Sequence, residues 1–142
     1  MTRSSICVDA NLVVRLVADP QDTAVRDKWQ QWEEEGRHLI APTLLHYETT
    51  NALYQYQRHG FLSVEGVRLA QEAALALPLT FYGDAALHQA ALRLAQRTTL
   101  PATYDAHYLV VAERLGGELW TGDKRLFAAI QGEFSWVRLF ES

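Results

Sequence analysis

The sequence predicts an α/β fold, a single domain in which a mostly parallel central sheet of about five short strands is flanked by helices. Three observations carry that expectation. Short apolar runs recur along the chain, at 6–8, 38–41, 79–82, 118–120 and 134–140. They alternate with segments of helical periodicity, and strands joined through helices pair parallel. One helical segment, 103–115, is apolar around most of its circumference, at 106, 108–112 and 115, so it is expected to be buried.

The first strand, Ile6-Cys7-Val8, passes through a turn at Asp9-Ala10-Asn11 into a helix marked by Leu12, Val13, Leu16 and Val17. Asp22 or Thr23 caps a second helix, on which Val25, Trp29 and Trp32 recur at i, i+4 and i+7, and Gly36 stands where a C-terminal cap is expected. Residues 38–41 form a strand ended by Pro42. Leu45, Thr49, Ala52, Leu53 and Tyr56 then mark one face of a helix that runs to Gly60. Ser63 caps a helix whose Val64, Val67, Ala70 and Ala74 face one way, and Pro78 stops it ahead of the strand at 79–82. Asp84 caps a helix carrying Leu87, Ala90, Ala91 and Leu94 to about Thr98, with Pro101 beyond its end. Gly116-Gly117 ends the apolar helix. A strand at 118–120, a turn at Thr121-Gly122-Asp123, a short helix with Leu126, Phe127 and Ile130, and a last strand at 134–140 complete the order.

The chain has 142 residues, 49% of them hydrophobic, without a repeat, a low-complexity tract or a Pro/Gly/Ser linker, so one domain over 1–142 is expected. A chain of this length removes roughly two-thirds of its unfolded surface from water on folding, which dispenses with disulfides and structural metals. Its single cysteine, Cys7, has no internal partner. Ser4, Ser5, Asp9 and Asn11 interrupt the apolar residues near the start, and the other apolar stretches fall short of the roughly 20 residues that span a bilayer. A soluble cytoplasmic protein with no membrane role is therefore expected. The net charge of -4 has the wrong sign for a protein that coats nucleic acid, although 11 of its 13 basic residues are Arg, whose planar fork suits local phosphate recognition. Glu33-Glu34-Glu35 reads as a solvated face at a helix end.

Ligands of open α/β sheets bind beyond the carboxyl ends of the strands. Asp9 follows the first strand, Glu48 lies in the second turn of the helix after the second, Asp105 opens the apolar helix, and Asp123 follows the Trp120 strand. Their separations of 39, 57 and 18 residues close only in the folded chain. Each has an ordinary reading as well. Asp9, Asp105 and Asp123 suit helix N-termini, and Glu48 suits an exposed helix face. Capping and metal binding can coexist, and a charge on so apolar a helix as that of Asp105 requires a partner. Carboxylates packed together repel and take up protons unless a cation shares the site. A hard divalent ion, Mg2+ or Mn2+, fits oxygen ligands of this kind. His38, His46, His59, His88 and His107 show no zinc-ligand spacing, and the sequence has no P-loop, GxGxxG or GxSxG.

Val8-Asp9-Ala10-Asn11, Glu48-Thr49-Thr50-Asn51-Ala52-Leu53, Tyr104-Asp105-Ala106-His107-Tyr108-Leu109 and Thr121-Gly122-Asp123-Lys124-Arg125-Leu126 together resemble the PIN-domain family, most closely its VapC-like toxins. VDAN or TGD alone is a weak signal, but four blocks agreeing in order, spacing and context over nearly the whole chain are a strong one. The resemblance implies a PIN-like fold and a metal-dependent endoribonuclease, the toxin of a toxin-antitoxin pair, in which Asp9, Glu48, Asp105 and Asp123 hold one or two Mg2+ or Mn2+ ions. Asp9 and Asp105 are the first choices for direct ligands, with Glu48 and Asp123 completing the set or orienting waters. Asn11, Thr103 and Thr121 are candidate supports, the two threonines reading equally as caps. Lys124, Arg125 and Arg15 are candidates to meet RNA phosphates, against a reading as solvated charge. Trp29, Trp32, Tyr54, Tyr56 and Phe61 offer base stacking or partner binding, with core packing as the default. A homodimer and a small antitoxin whose C-terminal segment blocks the site are also implied.

Other readings stay open at this point. One is an RNA-processing nuclease of the same chemistry without an antitoxin. Another is a PIN-fold binding module that has lost catalysis. A receiver-type signalling domain also gathers acids around Mg2+, but it wants a second acid beside the first strand's Asp, and Asp9 is followed by Ala10 and Asn11.

Overall fold

Strand β1 (Ser5–Val8) is buried along its whole length and forms the middle of the sheet. The computed structural model describes residues 4–141. Beside β1 lie β2 (His38–Pro42) and β4 (Glu118–Thr121), with β3 (Thr80–Tyr82) and β5 (Val137–Leu139) at the edges, in the order β3-β2-β1-β4-β5. All four pairings are parallel. The α/β class and the parallel sheet are as expected.

The helices are α1 (Ala10–Ala18), α2 (Thr23–Glu34), α3 (Leu44–Arg58), α4 (Val64–Leu75), α5 (Ala85–Thr98), α6 (Tyr104–Arg114) and α7 (Lys124–Ile130). Local chemistry starts several of them. Asp22, Ser63, Asp84 and Asp123 each accept a hydrogen bond from a backbone N–H in the first turn of the helix that follows. Gly36, at φ +69°, turns the chain after α2 in the left-handed conformation that glycine tolerates.

The connections β1–β2 and β2–β3 step one way along the sheet, whereas β3–β4 and β4–β5 step the other. Right-handed crossovers therefore put α1–α4 on one face and α5–α7 on the opposite face. The packing agrees: α1, α3 and α4 contact one another, while α6 lies on α5 and on β1, β2 and β4. The buried run Tyr108, Leu109, Val110, Val111 and Ala112 explains why α6 is apolar nearly all round. Trp29 and Trp32 join the core, and Trp32 meets Trp120 edge-on at 5.5 Å. Among the described residues no helix is long and apolar enough to cross a membrane.

Four local expectations need correction. Asp9-Ala10-Asn11 is not a separate turn, because α1 begins at Ala10 and leaves Asp9 alone at the junction. Pro42 is itself the last residue of β2, opposite Tyr82 of β3, so that strand runs one residue further than 38–41. The last strand is confined to Val137–Leu139, since β4 offers it partners only at Leu119, Trp120 and Thr121. Val64 does not join the buried face of α4: it is 70% exposed at the first turn, and only Ala70 and Ala74 are buried there.

Charge at the two ends of the sheet is handled differently. At the amino end of β4 the buried Glu118 is met by Arg37 at 3.1 Å and Arg138 at 3.4 Å. Gly117, just before it, passes so close to β1 that a Cβ would lie 2.6 Å from the Ser5 carbonyl oxygen. The acids of the carboxyl end have a different environment.

Candidate active site

The direction of the crossovers reverses between β1 and β4, and such a switch point opens a crevice at the carboxyl ends of the strands. Asp9 stands at the end of β1 and Asp123 just beyond β4. Glu48 reaches the same place from α3 on one face, and Asp105 from the first turn of α6 on the other. Together with Asn11 and Arg15 these carboxylates line one cleft of about 440 Å³.

Asp9 is 8% exposed and occupies the N-cap position of α1, yet its side chain makes no capping hydrogen bond. Its carboxylate instead accepts from the Thr121 hydroxyl at 2.8 Å and from Asn11 Nδ2 at 3.4 Å. Thr121 is fully buried, and its hydroxyl in turn accepts from the Asp123 N–H at 3.0 Å. Asn11 Oδ1 accepts from the Gly122 N–H at 3.1 Å. The tips of β1 and β4 are thus stitched together through Asn11 and Thr121.

Asp123 does cap a helix, but with one oxygen. Its Oδ1 accepts from the N–H groups of Arg125 and Leu126 at 2.9 and 3.1 Å. Glu48 is half-buried rather than on an open helix face, and its Oε1 accepts from the hydroxyl of Tyr108 at 2.6 Å. Glu48 Oε2, Asp123 Oδ2 and both oxygens of Asp105 accept no hydrogen bond among the described residues. Tyr108 was not among the residues that sequence reasoning singled out. Its position in an apolar helix reads as core, and no local pattern shows that its hydroxyl meets a residue sixty positions earlier.

The electrostatics follow from this crowding. Burial above all pushes the Asp9 carboxyl up from 3.8 to about 7; the Thr121 hydrogen bond pulls the other way, and the charges of Asp105 and Glu48 push further upward. Asp105 is likewise raised, by burial first and then by Asp123 and Glu48. Burial, with the charges of Asp9 and Glu48, also keeps the Tyr108 phenol protonated.

The donor set fits a hard divalent cation. It is all oxygen, and it lacks the arginine pair that neutralises buried Glu118. Arg15 is the basic residue lining the cleft, but it is committed to Asp22 at 2.7 Å and stacks over Phe140 at 5.0 Å. The carboxylates are not yet a closed cage: among the described residues no three His, Cys, Asp or Glu side chains converge tightly enough to hold an ion as they stand.

The remaining candidates divide. Asn11 and Thr121 touch Asp9 directly. Thr103 sits at the N-cap of α6, outside the acid cleft, where its carbonyl accepts from His107 Nδ1 at 2.6 Å. Lys124 is exposed and lies outside the cleft, whereas Arg125 lines a neighbouring hollow with Asp105 and Asp123. Trp29 and Trp32 are core residues, and Tyr54, Tyr56 and Phe61 are exposed, with Tyr56 on the wall of the acid cleft.

Comparison with known proteins points the same way as the geometry. The sequence is 35% identical over 126 residues to Ribonuclease VapC3 of Mycobacterium tuberculosis, covering 87% of this chain and 86% of that protein. Among solved structures it resembles PAE2754 from Pyrobaculum aerophilum, with a TM-score of 0.67, 28% identity, and coverage of 90% of this chain and 81% of that one. It also superimposes on a chain of a toxin-antitoxin complex from Klebsiella pneumoniae, with a TM-score of 0.69 at 18% identity, over 96% of this chain and 99% of that one. The family model described as PIN domain matches residues 6–133, from the second residue of β1 to just beyond α7, a span that contains all four carboxylates. The chain belongs to the PIN domain family.

Proposed function

We propose that the chain is a metal-dependent endoribonuclease that hydrolyses RNA phosphodiester bonds and acts in the cytoplasm as the toxin of a toxin-antitoxin pair. The observation that carries this reading is the meeting of four carboxylates, from four separate elements, in one cleft at the β1/β4 switch point. The resemblance to a protein named as a ribonuclease supports the substrate, and the likeness to a chain of a toxin-antitoxin complex supports a small antitoxin partner. A homodimer belongs to the same proposal.

Asp9, Glu48, Asp105 and Asp123 would hold one or two Mg2+ or Mn2+ ions, Asp9 and Asp105 as direct ligands. A bound ion of this kind acidifies water and offsets negative charge gathering on the cleaved phosphodiester. Thr121 and Asn11 orient the Asp9 carboxylate, and the Arg125 and Leu126 amides hold Asp123 by Oδ1, leaving Oδ2 without a hydrogen bond among the described residues. Arg125, beside Asp105 and Asp123, and the exposed Lys124 supply positive charge where RNA phosphates would approach, whereas Arg15 is engaged by Asp22. Hydrolysis adds water across one P–O bond, the leaving oxygen takes up a proton, and the reaction needs no covalent bond to the protein.

The test is cleavage of a mixed cellular RNA pool by the purified, partner-free protein with Mn2+, Mg2+ or EDTA. Products are expected with metal and not with EDTA. Asp105→Asn, with its fold verified, is expected to lower cleavage by more than about 100-fold, beyond the usual effect of losing an outer-shell partner. Equal cleavage by Asp105→Asn, or cleavage undiminished by EDTA, refutes the reading.

A further inference from the structure

Tyr108 lies one helical turn after Asp105 and is 1% exposed. Packing explains its ring, since α6 is apolar at the neighbouring positions, but a phenylalanine would fill that space equally well. The hydroxyl is the polar part, and a buried hydroxyl needs a partner. It finds one outside its own layer, donating to Glu48 Oε1 at 2.6 Å. Glu48 belongs to α3, which packs with α1 and α4, whereas Tyr108 belongs to α6, which packs with α5 and the sheet. The bond therefore spans the carboxyl edge of the sheet and links the two helical layers where the acids meet.

A glutamate has several rotatable bonds, and holding it in one conformation has an entropic cost. Asp9, Asp105 and Asp123 are shorter and sit at strand ends or a helix start, where the backbone alone limits their reach. Glu48 projects from the second turn of a helix and is the member of the set most in need of an anchor. Tyr108 occupies Oε1, and Oε2 accepts no hydrogen bond among the described residues.

We propose that Tyr108 is a positioning residue for the acidic centre: its hydroxyl, reaching across the sheet edge from α6, holds Glu48 by one oxygen so that the other is presented to a divalent cation. The proposal rests on the metal-centre reading above. Outer-shell partners of this kind typically change metal affinity 10–100-fold, so roughly that loss is expected on removing the hydroxyl.

The experiment measures Mn2+ binding to the full chain by calorimetry, without RNA, for wild type, Tyr108→Phe, Glu48→Ala and the double variant. Tyr108→Phe keeps the packed ring, and near-UV circular dichroism verifies the core. Unfolding in EDTA, followed alongside, separates any loss of stability from loss of affinity. Mn2+ binding about 10–100-fold weaker in Tyr108→Phe, with no further weakening when the same change is made in Glu48→Ala, is the expected result. Wild-type affinity in Tyr108→Phe overturns the proposal, as does an equal loss in both backgrounds, which would mean that the hydroxyl acts other than through Glu48. Absence of Mn2+ binding by wild type overturns the metal-centre reading itself, and the proposal with it.

Discussion

Replacing Asp9 by Asn should stabilise the metal-free protein while abolishing its proposed activity. Asp9 is almost wholly buried, and its carboxyl is raised from 3.8 to about 7. An acid that holds its proton more tightly when folded makes the native state bind more protons than the unfolded chain. Stability therefore falls as pH rises from about 4 to about 7 and is level above that range. The span from 3.8 to about 7 corresponds to ~4 kcal/mol at 1.36 kcal/mol per pH unit, which is the ceiling on the gain. Asn is neutral and of the same shape, and its amide oxygen can still accept from Thr121. The assay is urea unfolding in EDTA at pH 5 and pH 8. Wild type should lose stability between the two, and Asp9→Asn should lose markedly less and be the more stable protein at pH 8. Mn2+ at about 1,000 times its Kd should close or reverse the gap, since an ion that binds only the native state adds about 4.1 kcal/mol there and Asp9→Asn should bind it poorly. A wild type whose EDTA stability is unchanged from pH 5 to 8, or an Asp9→Asn protein less stable than wild type at pH 8, would show that burial does not hold a proton on Asp9.

Two further perturbations test the frame around the acids. Thr121→Val deletes the hydroxyl that donates to Asp9 and accepts from the Asp123 amide, so it should destabilise the fold by about 1–3 kcal/mol in urea unfolding. Because that hydrogen bond lowers the Asp9 pKa, its loss should also carry the pH-dependent fall in EDTA stability to higher pH; an unmoved profile would count against the assigned cause. Gly117→Ala would drive a Cβ against the backbone of β1, 2.6 Å from the Ser5 oxygen, and should destabilise by about 1–3 kcal/mol through overpacking. A thermal midpoint equal to wild type would show that β1 and β4 can separate there at no cost.

The framework was legible because its signals are local. Asp22, Ser63, Asp84 and Asp123 act on the turn that follows them, and the apolar wrap of α6 follows from its own composition. The four acids could be placed at one edge because a parallel sheet puts every strand's carboxyl end on the same side. What failed to show in sequence depends on distant partners. Phe134 and Trp136 look like strand residues, yet β5 can extend only as far as β4 pairs with it, and the two rings pack together at 5.2 Å instead. Asp9 looks like a helix cap, but the hydroxyl it accepts from is Thr121, far along the chain. Arg15 looks available for phosphate, but Asp22 on the next helix engages it. Tyr108 conceals its part for the same reason, since an apolar pattern registers the ring and says nothing of the oxygen.

The pairing of β1 with β4 also bears on when the protein becomes dangerous to the cell that makes it, if it is the nuclease proposed. Ile6, Cys7 and Val8 pair with Glu118, Leu119 and Trp120, so the centre of the sheet closes between segments 112 positions apart in the chain. Contacts of such high sequence separation form late and slowly in folding. A nascent chain that has emerged only through α6 carries Asp9, Glu48 and Asp105, but it lacks the Thr121 hydroxyl that orients Asp9, and it lacks Asp123 altogether. Cleaving competence would then arrive only once β4 has emerged and paired with β1, and RNA near the site of translation would be spared until the sheet has closed.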